Sequence, residues 1–475
     1  MNLKRKNQFK TIFKHGGGYF LVSLLTKATG FLLLPIITKY LSLEEYGLYT
    51  NIQSAQTIMY LFATLSLDAA YGRFVYDYNS SKKRLRLLTS TIFTVFILWN
   101  LLYLGLSGVG VYYLIESWGY QELFIALILP FITLFQQFIA LNTSLMQSRH
   151  HTKKLLSITT IAFFTTQLIV LSLLLIFNMG IQSFFIAQFL VGSIVMYLHI
   201  NMLKREGLLK LFIFNKHTFK KVFKYALGYL PLSFSGWIFA MSDRYIITYY
   251  ASLAMAGKYS FLMQLTMIIQ VIMQSIDTAY APIFMGLMKE KGSENLEKIK
   301  SYFTVMIFLL LFVYLSMVLF LPFLIEALFP KQYQGDYLLI SILAMGFVFL
   351  AIRKMFANIL VYYKKSLWIS ISGYIPAIVN LGLNFIFIPK YGMYAAAWTT
   401  LVSFLLYAVI VFLMAQKLQK LEFNYLHIFT IFGVSIVITW VSFTFNYSNF
   451  LLNMILLGAF VMLGKVFKIY ELMRG

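Results

Sequence analysis

The sequence predicts an all-α polytopic membrane protein: about 14 transmembrane helices, forming two parallel six-helix repeats around a central cavity, plus two C-terminal helices. Three observations carry this reading. Of 475 residues, 60% are hydrophobic and only 12% are charged, and the mean hydropathy of +0.78 exceeds what a soluble globular chain keeps in solution. Stretches of about 20 apolar residues, enough to cross about 30 Å of hydrocarbon, recur between polar or glycine-containing breaks. Alternating ten-residue strands do not occur, and backbone polar groups in lipid must be satisfied internally, so the spans are helices and not a barrel.

Taken in order, the expected spans are 16–41, 46–74, 87–113, 123–146, 155–177, 181–203, 225–250, 258–284, 301–325, 338–361, 367–388, 394–415, 426–445 and 450–464. The basic opening MNLKRKNQFKTIFK leads into an apolar run too long for a signal core and without a clear cleavage site, so it reads as the first span. With the N-terminus inside, the inner segments hold 30 of the 39 Lys and Arg, whereas the outer loops hold Lys331 and Lys390. That asymmetry places both termini in the cytoplasm and favours an even number of spans. It also accounts for the net charge of +23 and the pI of about 9.7, which face anionic lipid headgroups, so no nucleic-acid partner is expected. With no cysteine, disulfides, Fe–S clusters and cysteine-ligated zinc are excluded.

An internal repeat organises the chain. SLDAAYG (66–72) recurs as SIDTAYA (275–281), ITKYLSLEEYGLY (37–49) as ITYYASLAMAGKY (247–259), and FIALNTSLMQSRHHTKK (138–154) runs parallel to FLAIRKMFANILVYYKK (349–365). The offset is about 210 residues in each case and spans six helices, so both halves enter the membrane in the same direction. The expected divisions are an N-lobe at 1–203, a cytoplasmic interfacial linker at 204–224, a C-lobe at 225–415, and appended spans with a tail at 416–475. Gly47 and Gly257, Tyr49 and Tyr259, and Asp68 and Asp277 occur in both halves, as turns and shared packing require.

Charge does not follow the repeat. Seven basic residues lie outside the loops. Lys39 and Lys258 flank outer loops and are expected to snorkel, and Arg73 lies near the inner boundary. Lys27, Arg244, Arg353 and Lys354 remain. An ionisable group costs about 2.5–3.5 kcal/mol at a span's centre, so such groups face water or a partner. These four are the expected substrate-binding cations, and they suit an anion. Asp243 is expected to orient a neighbouring cation or carry a coupling ion; because Asp243 and Arg244 project about 100° apart, each is expected to find its partner on another helix. Asp68, Asp277 and Arg73 are expected as gate or structural groups. Arg73 would pair with Asp68 across a gate, although five residues is a poor same-face spacing.

The stretch DRYIITYYASLAMAGKYS (243–260) resembles the start of the second half of bacterial polysaccharide flippases, and TGFLLLPIITKYLSLEEYGLYT (29–50) is similar to that family's opening hairpin. The resemblance covers spans 1–2 and 7–8 by motif and the rest by topology. It implies membership of the multidrug/oligosaccharidyl-lipid/polysaccharide exporter superfamily, in the O-antigen, capsule or teichuronic type of flippase. The implied fold is two six-helix bundles around a cavity that opens alternately to each side. The implied substrate is an undecaprenyl-pyrophosphate-linked oligosaccharide, moved to the outer leaflet of the bacterial cytoplasmic membrane for surface polysaccharide assembly. Cationic cavity residues would bind the pyrophosphate, and the implied partners are the lipid-linked glycan, the bilayer and polysaccharide polymerase machinery, with the chain itself a monomer.

Physical chemistry agrees with that task. A pyrophosphate cannot cross hydrocarbon unpaired, Arg grips phosphate with two parallel hydrogen bonds, and Lys acts as a point charge. No cofactor is expected; either the membrane potential or a coupling cation, Na+ or H+, would supply the drive. Each residue also has a plainer reading: polar contact between helices for Lys27 and Asp243, an interfacial anchor for Arg244, and lipid-facing belts for most aromatics, with sugar stacking at Trp237 or Tyr229 the lesser alternative. Pro35, Pro130, Pro231 and Pro376 are expected kink positions. Neither an HExxH spacing, a nucleophile elbow nor a Walker motif is found, so the chain is not expected to be an enzyme. The competing classes are a lipid II flippase, a multidrug/cation antiporter of the same fold, whose cavity should be acidic, and a membrane polymerase, which should have a large outer loop.

Overall fold

A computed structural model describes residues 26, 29–149, 152–210, 213–290, 292–445, 449–467 and 469. Among them the chain is helical and has no strand. It divides into two compact units, Met1–Trp237 and Ile238–Gly475.

The first unit is built from α1 (Thr29–Tyr40), α2 (Leu43–Thr64), α3 (Leu67–Tyr78), α4 (Lys82–Glu116), α5 (Leu123–Ser148), α6 (Thr152–Leu175), α7 (Gln182–Arg205) and α8 (Lys216–Trp237). α2 starts on a capping box: the Ser42 hydroxyl accepts from the Glu45 N–H at 3.1 Å, and the Glu45 carboxylate accepts from the Ser42 N–H at 2.8 Å. α5 is the hub and packs against α2, α3, α4 and α7. At its contact with α3 and α4, Phe93 meets Tyr71, Phe96 and Phe138 edge to face, and the Tyr71 hydroxyl bonds Thr89 Oγ1 at 2.9 Å.

The second unit opens with a π-turn (Ile238–Ser242), then α9 (Asp243–Tyr250), α10 (Leu253–Thr266), α11 (Ile268–Glu290), α12 (Ser293–Leu328), α13 (Leu338–Tyr362), α14 (Ser366–Leu418), α15 (Tyr425–Thr444) and α16 (Phe450–Val466). Here α13 is the hub, packed on α10, α11, α12 and α14. α15 and α16 dock on α12 through polar contacts: Asn453 donates to the Leu319 carbonyl at 2.9 Å and accepts from Ser442, while Tyr314 bonds Thr439 at 3.0 Å. Such bonds are effective glue between helices in lipid, where apolar contact alone distinguishes poorly between neighbours.

Nine helices among the described residues are long and apolar enough to cross a membrane. Five local features separate that number from the expected 14. The first span is described only over Thr29–Tyr40, and α16 has 17 residues. The second is broken where Leu65 (φ 47°) and Ser66 (φ 57°) turn left-handed between α2 and α3. The seventh starts in a basic helix, α8, and is interrupted by the π-turn. The eleventh and twelfth merge into the 53-residue α14, which is non-helical at Gly392 (φ 55°, ψ −136°). These interruptions fall at left-handed residues and at the π-turn, not at Pro35, Pro130, Pro231 or Pro376. The turn expected at the glycines is made by serine instead: Ser252, at the repeat position of Ser42, caps α10 by accepting from the Met255 N–H at 3.1 Å, while Gly47 and Gly257 are buried within helices.

Of the expected interfacial linker, residues 216–224 are helical as the start of α8, whereas residues 208–210 and 213–215 belong to no helix. Side chains of α4 supply hydrogen bonds to this non-helical backbone. Arg86 Nε donates to the Gly207 carbonyl at 2.6 Å, Ser90 Oγ accepts from the Lys210 N–H at 3.0 Å, and Thr91 Oγ1 accepts from the Asn215 N–H at 3.2 Å. Buried hydroxyls along one face of α4 thus satisfy a passing backbone. The first unit therefore takes in the linker together with α8.

Gly392 has a backbone conformation that a side chain resists, and an added Cβ would lie 2.7 Å from Met255 Sδ. We expect Gly392→Ala to lower stability by about 1–3 kcal/mol in a thermal or detergent unfolding measurement. Adding Met255→Ala should recover only part of it, because the clash is removed and the backbone strain is not.

Candidate functional site

A π-turn inserts an extra residue into a helical turn and often marks a functional position. The one at Ile238–Ser242 immediately precedes Asp243 and Arg244. Asp243 is 2% exposed. Its Oδ1 accepts from the Arg244 backbone N–H at 2.9 Å, and its Oδ2 accepts from the Tyr259 hydroxyl on α10 at 2.5 Å. Both carboxylate oxygens are thus engaged, and they fasten the start of α9 to α10.

Arg244 is 7% exposed, yet its guanidinium meets only soft acceptors: Nη1 contacts Met241 Sδ at 2.6 Å, Nη2 contacts Met263 Sδ at 3.7 Å, and Nε has no partner. Thioether sulfur is a weak acceptor, so this fork of donors is held in place with most of its hydrogen-bonding capacity unused. Asp243 supplies nearby negative charge without committing an oxygen to the guanidinium.

Arg353 and Lys354 are successive residues on α13 and diverge. The Arg353 guanidinium lies over the Tyr407 ring, 4.7 Å from its centroid, with Nη1 3.4 Å from the Tyr407 hydroxyl and Nε unpartnered. Tyr407 in turn stacks on Phe239 of the π-turn at 5.7 Å and 12°. Stacking fixes the plane of the guanidinium and leaves its edge donors to point elsewhere. Lys354 is engaged: its Nζ lies 3.1 Å from Asp277 Oδ2 on α11, and Asn358 Nδ2 donates to Asp277 Oδ1 at 2.8 Å. The second unit therefore holds, on α9 and α13, a lysine paired with the repeat aspartate and two arginines without carboxylate partners on their guanidinium groups.

In the first unit Lys27 lies outside the described residues. Asp68, just past the left-handed break, accepts from the Tyr60 hydroxyl at 2.8 Å and lines a small cavity with Thr64, Trp99 and Gln137. Arg73 pairs with Asp77, one turn onward, at 2.7 Å on the exposed side of α3; the expected partnership with Asp68 gives way to this better-spaced neighbour. The Trp237 indole donates to the Ser54 carbonyl at 3.2 Å, so its polar edge is already used.

Two features escaped sequence reasoning. Lys258, expected to snorkel, is 7% exposed: it donates to the Gln334 carbonyl and lies 3.4 Å from Asp336 Oδ2, while Tyr394 donates to Asp336 Oδ1 at 2.7 Å. The loop folds over it because Gly335 (φ 89°) and Asp336 (φ 56°) turn left-handed; the Gln-Gly-Asp run was the available signal. The other is a buried polar ladder within α14, where Asn384 donates to Asn380 at 3.2 Å, Thr399 donates to Asn384, and Ser403 donates to the Thr399 carbonyl at 2.6 Å. Its sequence signal is two polar pairs at i, i+4 inside apolar runs.

Comparison with solved structures shows the same fold elsewhere. The fold matches "Lipid II flippase MurJ, inward closed conformation" at a TM-score of 0.68 and 14% identity, over 96% of this chain and 98% of that one. It also matches the inward-facing conformation of a multidrug resistance MATE family transporter of the MOP superfamily at 0.60 and 12% identity, over 84% and 97%. The likeness is one of fold: the helical architecture of these two structures recurs in this chain. By sequence, the family model described as "Polysaccharide biosynthesis protein" matches residues 13–288, more than half of the chain, and the chain belongs to this family. Two Haemophilus influenzae proteins are similar in sequence. One, an uncharacterized membrane protein, is 23% identical over 390 residues, covering 78% of this chain and 89% of its own length. The other, Lsg locus putative protein 1, is 26% identical over 289 residues, covering 59% and 67%.

Tyr259→Phe removes the hydroxyl that binds Asp243 Oδ2 and leaves a buried carboxylate half-satisfied. We expect a loss of about 1–3 kcal/mol in unfolding stability. Combining it with Asp243→Asn should cost less than the two changes added separately.

Proposed function

We propose that the chain is a flippase that carries undecaprenyl-pyrophosphate-linked oligosaccharide from the cytoplasmic to the outer leaflet of the bacterial cytoplasmic membrane, by alternating access through a cationic cavity. The observation that carries this reading is the buried Arg244 guanidinium, met by two thioethers and an unfilled Nε–H. A buried cation is costly until an anion arrives, and a phosphate suits the geometry because an arginine fork can grip it with parallel hydrogen bonds. Arg353, held flat by Tyr407, supplies a second fork. Lys27 is proposed as a third cation, and Lys354 contributes through its contact with Asp277, releasing charge to the substrate when that pair opens.

Family membership in polysaccharide biosynthesis supports a glycan on the lipid, and the fold supports transport. The orientation read from the basic residues places the termini in the cytoplasm. With the inside negative, each negative charge moved outward gains about 2.3 kcal/mol per 100 mV, so a headgroup near −2 gains roughly 4–5 kcal/mol. Membrane potential is therefore a sufficient drive.

The test is genetic and chemical. Removing the protein should cause a lipid-linked oligosaccharide to accumulate on the cytoplasmic leaflet; accumulation of lipid II instead would assign the peptidoglycan precursor. Arg244→Ala and Arg353→Ala should each reduce surface glycan about tenfold or more, the scale of a lost charged hydrogen bond, with membrane insertion unchanged. Normal surface glycan in both variants would overturn the site.

A further inference from the structure

The exposed surfaces of the first unit mix branched apolar side chains with single aromatic rings such as Tyr113 and Tyr197. Leu98, Leu101, Leu102 and Leu106 of α4 and Ile161 and Leu168 of α6 are all exposed by more than half. On one exposed face two tyrosine rings stand one helical turn apart. Along α8, Lys221, Tyr225, Gly228, Tyr229, Ser233 and Gly236 fall on one stripe at helical spacing. Tyr225 and Tyr229 are 38% and 41% exposed, with ring centroids 5.5 Å apart and planes tilted by 32°. Added Cβ atoms at Gly228 and Gly236 would meet nothing within 4 Å, so the space beside the rings is open.

The stripe is anchored from beneath rather than covered. Phe74 of α3 meets Tyr225 edge to face at 5.7 Å, and the Lys221 ammonium lies 5.4 Å from the Phe74 ring centroid. Beside it is the exposed Arg73–Asp77 pair. Higher up, the Ser233 hydroxyl lies 3.3 Å from that of Ser66, and Phe234 packs edge to face on Phe62 at 5.4 Å. The outward surface therefore combines two rigid aromatic faces, hydroxyls and two basic side chains at its cytoplasmic end. A lipid tail gains little from this set compared with leucine. A saccharide gains more: its C–H faces stack on tyrosine, its hydroxyls bond the tyrosine hydroxyls, and acidic sugars are drawn to Lys221.

We propose that the Tyr225–Tyr229 stripe of α8 is a saccharide-binding surface, distinct from the arginines that hold the pyrophosphate. It rests on the flippase reading and assigns the sugar to a different helix from the phosphates. Because stacking on an aromatic face needs little of a particular hydroxyl pattern, the surface would accept sugars of varied stereochemistry and favour a sugar-bearing lipid over the bare lipid pyrophosphate.

The experiment uses the full-length protein in lipid nanodiscs and two probes, undecaprenyl pyrophosphate and the same lipid bearing an N-acetylglucosamine disaccharide. The unaltered protein should bind the sugar-bearing lipid about three- to tenfold more tightly, the scale of one or two aromatic contacts. Tyr225→Ala with Tyr229→Ala should abolish that preference while leaving affinity for the sugar-free lipid and the unfolding temperature unchanged; Tyr→Phe at both positions should retain most of it. Arg244→Ala should weaken both lipids alike. Equal binding of the two lipids by the unaltered protein, or a preference that survives the alanine pair, overturns the proposal and leaves the pyrophosphate reading standing. An alanine pair that weakens both lipids equally or unfolds early assigns the tyrosines to membrane anchoring and also overturns it. Binding of neither lipid removes both readings.

Discussion

A charge buried in a medium of low dielectric must be met by something, and in this chain that constraint decides which side chains are scaffold and which are available. Asp243 is met by Tyr259 and by the backbone of its neighbour. Asp277 is met by Lys354 and Asn358, and Asp336 by Lys258 and Tyr394. In each case the acid ties two helices, or a helix and a loop, within one unit. Arg244 and Arg353 break the pattern because sulfur and an aromatic ring stand where carboxylates could have stood. Under the proposed function, the cost of leaving them so is offset when the substrate's phosphate arrives.

The same logic reaches neutral groups. Hydroxyls of α4 satisfy the non-helical backbone between α7 and α8, and Asn453 satisfies a carbonyl of α12. Among helices whose apolar surfaces are nearly interchangeable with lipid, these polar contacts supply the specificity that says which helix sits beside which. Aromatic packing fills the space between them, as at Phe93 and its three ring neighbours.

Much of this was legible in the amino acids. Hydropathy announces the helices, and the recurring Leu-Ser-Leu and Ala-Ser-Leu turns mark the two halves because serine at a helix start has a chemical reason to recur. Arg244 and Asp243 stood out as charges deep in an apolar run, and the expectation that Asp243 would look to another helix follows from the 100° turn per residue. What could not be read was partner choice across distance. Lys258 resembles a snorkelling residue until a loop 76 positions later closes over it, and nothing local to Arg73 ranks Asp77 above Asp68 except helical spacing. Helix interruptions at Leu65–Ser66 were hidden for a related reason: neither residue favours a left-handed backbone, so tertiary packing imposes it.

The wide turn at Ile238–Ser242 carries one more implication. A helix with a π-turn holds one residue more than the same path in α geometry, so relaxing it would advance everything downstream by about 1.5 Å and twist it by about 100°. Within the second unit, a shift confined to α9 would carry Arg244 away from Met263 of α10. A single re-spacing of backbone hydrogen bonds could thus re-aim a cation without bending the rod that bears it.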